Sequence, residues 1–198
     1  MCADPDAPPE GDDPRAALLQ ALERHAPADH EETEDAARIV AFVRAQPRPF
    51  DRGIRAGHLT GSALVVAADG RRVLLLRHRK LQRWLQPGGH AEPGETRGED
   101  VALREAREET GLTDLALHPA APRPLDVDVH AIPARGADPA HLHLDLRYLV
   151  TAPDDIETRR CLDETDDLRW FSWDELGALD LDHGLRRALA KARRATAG

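Results

Sequence analysis

A chain of 198 residues with 41% apolar and 32% charged residues is long enough to bury one core, and its formal net charge of −9 argues against binding polymeric nucleic acid. No apolar run approaches the roughly 20 residues that cross a bilayer, and no export signal is expected from the acidic, proline-rich start. Two cysteines, Cys2 and Cys161, cannot build a disulfide framework, so a reduced cytoplasmic setting is expected.

Residues 1–13 hold five acids and no base and read as a disordered acidic tail. Asp13 followed by Pro14 is an N-cap with proline at the first helical position; it predicts a helix to about His25, with Ala17, Leu18, Ala21 and Leu22 on one face. Asp29 predicts a second helix start, with Glu32 at capping-box spacing. Ala36, Ile39, Val40 and Val43 form its apolar stripe, which ends near Pro47. These helices are expected to form an N-terminal extension over residues 14–50, packed on a main domain over 51–198. They carry no recognisable chemistry.

The run from Ser62 to Ala68 predicts a buried strand, and Asp69-Gly70 a type I′ hairpin turn into a return strand at Val73–Leu76. The stretch from Arg77 to Arg83 then carries four fixed positive charges and no negative one. It is either a solvated basic loop or a seat for a small phosphorylated ligand. Thr96 and Glu99, at capping-box spacing, start a helix at about Arg97, which Gly111 ends. A proline-rich link leads to strands at about 125–132 and 142–150, and an acidic loop runs from Asp154 to Asp167. A short strand follows at Leu168–Phe171, then a second capping pair, Ser172 and Glu175. An amphipathic helix from about His183 carries Leu185 and Leu189. Strands before and after a central helix define a mixed α/β class.

Chemistry concentrates in residues 88–112, GGHAEPGETRGEDVALREAREETGL. Glu105, Glu108 and Glu109 stand at i, i+3 and i+4, within an arc of roughly 100° on the helix. Ala102, Leu103, Ala106 and Thr110 occupy the neighbouring arc and can anchor it to a core. Three like charges so close repel one another, which either Arg104 and Arg107 or a hard divalent cation relieves. Gly88-Gly89 lets backbone approach a ligand closely, and Glu92 and Glu95 add carboxylate beside the same helix.

This segment resembles the Nudix box, G-x5-E-x7-R-E-U-x-E-E-x-G-U, with U a bulky aliphatic. Gly89 and Glu95 match its opening, and Arg104 through Leu112 its close, with Ala106 smaller than usual. Eight residues rather than seven separate Glu95 from Arg104, an insertion expected to be absorbed in the loop or the first helical turn. The likeness extends over about residues 58 to 180. It implies an α/β/α sandwich with a mixed sheet. It further implies hydrolysis of a nucleoside diphosphate linked to another group, or of a nucleoside triphosphate, with Mg²⁺ or Mn²⁺ as cofactor. By resemblance, Glu105, Glu108 and Glu109 are metal ligands, joined by the carbonyl of Gly89. Arg104 orients them, pairing with Glu95. Glu108 or Glu109 is the first choice of general base, and Glu164 is the candidate on a distant loop. Arg77 and Arg79 become phosphate contacts, and Trp84 a stacking platform for the substrate.

A second polar set stands apart from the box. Asp126, Asp128 and His130 alternate on one expected strand, and His141, His143 and Asp145 on the next. If these strands pair, the acids and histidines converge, either as the wet face of an exposed hairpin or as a site for substrate or a further metal. The partner implied is a small phosphorylated, nucleotide-like molecule, with no membrane and no polymeric nucleic acid; a homodimer is compatible with the chain. The rival readings are a non-catalytic Nudix-fold nucleotide binder or regulator, disfavoured by the three retained glutamates, and an isopentenyl diphosphate isomerase, which needs a cysteine that Cys161 does not match.

Overall fold

The computed structural model describes residues 13–136, 139–154, 158 and 165–197. The expected tail at 1–12, and with it Cys2, lies outside the described residues, as do Cys161 and Glu164. Two helices come first, α1 (Pro14–Glu23) and α2 (His30–Ala45). Asp13 caps α1 by accepting the Arg15 N–H, and Asp29 caps α2 by accepting the Glu32 N–H at 2.8 Å. The second half of the expected capping box differs. The Glu32 carboxylate accepts from the Ala28 N–H at 2.6 Å, one residue before the cap.

Among the described residues, eight strands form one mixed sheet: β1 (Gly57–Ala67), β2 (Arg72–His78), β3 (Arg83–Leu85), β4 (Gly88–His90), β5 (Ala116–Leu117), β6 (Asp126–Ile132), β7 (His141–Ala152) and β8 (Thr165–Ser172). β1 runs parallel to β7 from Gly57–Leu142 to Ala67–Ala152, and the other pairings are antiparallel. The short strands β3 and β4 stand where sequence predicts only loop. The turn between β1 and β2 is not type I′. Gly70 alone takes a left-handed φ, of 68°, while the Asp69 carboxylate accepts the Arg71 N–H at 2.8 Å.

Alternation along β1 builds the sandwich. Leu59, Ala63 and Val65 pack with Val101, Ala102 and Ala106 of α3 (Gly98–Thr110) on one face. Leu64 and Val66 pack with Leu185, Ala188 and Leu189 of α4 (His183–Thr196) on the other. The N-terminal helices bury Leu22, Ile39 and Val43 in the α3-side core. A single 3₁₀ turn at Glu175–Ala178, capped at Asp174, precedes α4. Ser172 and Glu175 do pair, through the Ser172 N–H and Oγ, but they brace this turn rather than start an α-helix.

α2 also closes an edge of the sheet. Glu32 accepts the Val127 N–H at 3.4 Å and Asp35 the Val129 N–H at 3.1 Å, so outward donors of β6 meet carboxylates instead of another chain. α4 completes a buried ionic network around them. Arg187 donates to Asp126 at 2.9 Å and to the Val127 carbonyl at 2.8 Å, Arg147 donates to Asp126 at 3.1 Å, and Lys191 pairs with Glu32. Burial raises the Glu32 carboxyl, but hydrogen bonds from His25, Lys191 and Ala28 outweigh it and hold that group far below the usual carboxylate range. Read from sequence, Arg187 and Lys191 belong to the polar side of an amphipathic helix. They are buried because α2 and β6 cover them.

Candidate active site

The glycines of β4 set the geometry. Gly88 and Gly89 pair with Ser62 and Gly61 of β1. A Cβ on Gly89 would lie 2.6 Å from Oε1 of Glu105, and one on Gly88 would lie 2.3 Å from Oγ of Ser62. A side chain at either position would displace its neighbour. α3 approaches β1 just as closely, because a Cβ on Gly61 would stand 2.6 Å from the Gly98 carbonyl oxygen. The helix start differs from expectation. Arg97 is the N-cap without a side-chain cap bond, and Glu99, instead of closing a capping box with Thr96, pairs with Arg97 and accepts from the Tyr148 hydroxyl at 3.3 Å.

Glu105, Glu108 and Glu109 share one edge of α3. Glu109 is 9% exposed and accepts the Gly88 N–H at 2.9 Å. Arg104 ties the group together. Its guanidinium donates to both oxygens of Glu95, to the His90 carbonyl at 2.6 Å, and to Glu105 and Glu108 at 3.1 Å each. Burial raises the Glu95 carboxyl, but the Arg104 hydrogen bonds overcome it and leave it below its ordinary value. The helix starts at Gly98, and the Glu95–Arg104 ion pair forms despite the extra residue between them. Three carboxylates beside a backbone strand offer oxygen donors alone, the set that suits a hard divalent cation.

These residues, with Gly89, Glu95 and Arg104, line one cleft of about 2680 Å³. The basic stretch divides around it. Lys80 and Arg83 line the cleft, whereas Arg77, Arg79 and Trp84 lie off it. Arg77 shares strand parity with Val73 and Leu75, on the α4 side. Arg79 pairs with Asp166 at 2.9 Å, and Trp84 packs edge-on against Phe171, with centroids 4.8 Å apart.

The floor of the cleft is the sheet surface on the side opposite α3. β6 and β7 pair as expected, with Asp128 opposite Asp145 and His130 opposite His143, so the two polar sets do converge. The face is only partly wet: Asp126, Asp145 and Arg147 are buried, Asp128, His141 and His143 half-buried, and His130 exposed. Asp145 accepts from Thr60 Oγ1 at 2.9 Å and from Ser62 Oγ at 2.8 Å. Sequence reading did not single out His58 of β1 or His90 of β4, which join His143 here. Burial, then the neighbouring imidazoles and Arg52, push His58 and His90 down to about 4, and burial and the surrounding imidazoles push His143 down to about 3. Extending the alternation of β1 back from Ser62 through Thr60 to His58 was the one available signal.

The NUDIX domain model matches residues 58–192, and the chain belongs to that family. Solved structures agree on the fold. A C. elegans Ap4A hydrolase is 19% identical, with a TM-score of 0.57 over 71% of this chain and 98% of that one. The E. coli dihydroneopterin triphosphate pyrophosphohydrolase is 21% identical, with a TM-score of 0.52 over 67% and 92%. A MutT NUDIX hydrolase from Burkholderia pseudomallei is 28% identical, with a TM-score of 0.51 over 68% and 97%. No curated protein matches the chain by sequence. Among the described residues, no helix is long and apolar enough to cross a membrane.

Proposed function

We propose that the chain hydrolyses the diphosphate linkage of a nucleoside diphosphate joined to another group, or of a nucleoside triphosphate, with Mg²⁺ as cofactor and Mn²⁺ able to replace it. The observation that carries this reading is the gathering of Glu105, Glu108 and Glu109 along one edge of α3, facing a single cleft with Gly89 packed against the Glu105 carboxylate. The relatives named above, an Ap4A hydrolase and a dihydroneopterin triphosphate pyrophosphohydrolase among them, support the substrate class.

The three glutamates and the Gly89 carbonyl would hold the cation. When bound, it supplies neutralisation of the diphosphate and a coordinated water of lowered pKa. Glu108 or Glu109 takes the proton from the attacking water. Glu109, oriented by the Gly88 N–H, is fixed relative to β4, and Glu108 is held by Arg104. Glu164, outside the described residues, is the alternative base. Lys80 and Arg83 contribute positive charge at the cleft for the phosphates.

Phosphate release from nucleoside triphosphates, nucleotide sugars and dinucleotides, measured with a coupled phosphatase, tests the reading. At least one substrate is expected to turn over with Mg²⁺, to stop in EDTA, and to slow by orders of magnitude in Glu109→Gln with the circular dichroism spectrum unchanged. Activity that survives thorough chelation, or an undiminished Glu109→Gln rate, would refute it. Running the reaction in ¹⁸O water locates the phosphorus attacked.

A further inference from the structure

The cleft floor gathers imidazoles that the glutamate site does not use. His58 and His143 are register partners across the parallel β1–β7 pair, and His90 enters from β4 opposite Thr60. One ring nitrogen from each of His58, His90 and His143 lies within 4.8 Å of the others. Nε2 of His90 stands 3.0 Å from Nε2 of His143, and Nε2 of His141 stands 3.3 Å from that same atom. A tetrahedral ion with Zn–N bonds of roughly 2.0–2.1 Å sets its ligand nitrogens about 3.3 Å apart, so the His90–His143 and His141–His143 pairs are already near that spacing.

Their hydrogen bonding does not close without something between them. Nδ1 of His141 lies 2.9 Å from the Pro139 carbonyl, which can only accept, so Nδ1 carries the proton. In the neutral ring Nε2 is then a lone pair aimed at His143. A single proton on His143 Nε2 would have to serve both His141 and His90. His58 is 3% exposed, and among the described residues neither of its ring nitrogens has a hydrogen-bond partner. A buried polar atom left unpaired loses its hydration without compensation. A cation that accepts these lone pairs removes the conflict, and a carbonyl-bound Nδ1 is the usual support of a ligating histidine.

We infer that His58, His90 and His143 form a binding site for a divalent transition ion of the Zn²⁺ class, with His141 within reach as a fourth ligand. Imidazole donors select this class, whereas Mg²⁺ requires oxygen. The two sites are therefore chemically separate, although they share a strand. Gly89 of β4 faces Glu105, and the next residue, His90, faces the imidazoles.

The test uses tag-free full-length protein, stripped with a chelator and titrated with Co²⁺. One equivalent is expected to bind with the visible bands of a nitrogen-ligated ion of low coordination number. Zn²⁺ should displace it, excess Mg²⁺ should not, and Zn²⁺ should raise the melting temperature. His143→Asn and His58→Gln are expected to lose the bands and the thermal shift, while Glu105→Gln keeps both. Because His143→Asn can fail to fold, each variant is checked by circular dichroism, and the wild-type spectrum decides by itself. The absence of Co²⁺ bands in the wild type, or bands that persist in both histidine variants, would overturn the site.

Discussion

Arg104 grips both carboxylate oxygens of Glu95, at 3.0 and 3.1 Å, across the stretch of eight residues that separates them. The same side chain holds the His90 carbonyl and two of the three box glutamates, so loop, β4 and α3 meet at one planar fork. Lysine keeps the charge but not the fork. Arg104→Lys is expected to lower kcat by about tenfold to a hundredfold, the usual cost of losing a support of a metal site, with little change in melting temperature. A rate equal to wild type would mean that the clamp does not position the glutamates.

The box could be read from sequence because its chemistry lies on contiguous residues. Helical periodicity alone places Glu105, Glu108 and Glu109 on one edge, and Gly89 and Glu95 sit at fixed offsets before it. The cleft floor was less legible. His58, His90 and His143 come from three strands, and β4 is only three residues long, too short for any alternation to show. The basic stretch was hard to resolve from sequence because charge density does not report direction. β3 and the return from β2 send Lys80 and Arg83 into the cleft, while strand parity sends Arg77 away. Arg187 and Lys191 escaped notice because nothing in a local pattern reveals that another helix lies on the polar side of α4.

Gly89 offers a test of how closely β4 and α3 must approach. An added methyl would lie 2.6–2.9 Å from the Glu105 carboxylate, tighter than carbon–oxygen contact allows. The Glu105 side chain can swing aside, so Gly89→Ala is expected to fold, with a stability loss of about 1–3 kcal/mol. Turnover should fall by at least about tenfold, because the carboxylate that moves is one proposed to hold the cation. Full activity in Gly89→Ala would show that Glu105 is not needed where it stands.

The histidine floor predicts acid sensitivity in metal-free protein. His58, His90 and His143 titrate near 4, 4 and 3 in the fold, against about 6.5 in an unfolded chain. Burial is the main cause; His141, His130 and Arg52 add to it, and Asp51 opposes it at His58. Between pH 6.5 and 4 the unfolded chain binds more protons than the native one, so stability rises with pH in that window and is lost on acidification. Urea melts at pH 7 and pH 5 should differ by on the order of 2 kcal/mol per ring. His58→Gln should flatten the dependence, and equal stability at the two pH values would contradict the assignment.

The network that binds α2, β6, β7 and α4 makes the opposite kind of prediction, because its members are stable only together. Asp126 is fully buried, with Arg187 at 2.9 Å, Arg147 at 3.1 Å and Lys191 at 3.6 Å. Removing its charge weakens the pairing of every buried cation around it, although Arg147 keeps Asp128 and Asp145, and Arg187 and Lys191 keep Glu32, which places the cost toward the lower end of about 3–5 kcal/mol. Asp126→Asn should therefore destabilise the chain by roughly that amount in urea melts. Lys191→Met acts on the same network from α4 and leaves Glu32 its contacts with His25, Ala28, Val127 and Arg187. Its expected loss is smaller, because Glu32 keeps three hydrogen bonds, from His25, Ala28 and Val127. Neither side chain belongs to the glutamate edge, so residual activity per folded molecule should stay near wild type for Lys191→Met. A Lys191→Met loss equal to that of Asp126→Asn would show that the Glu32 pair, rather than Asp126, carries the network.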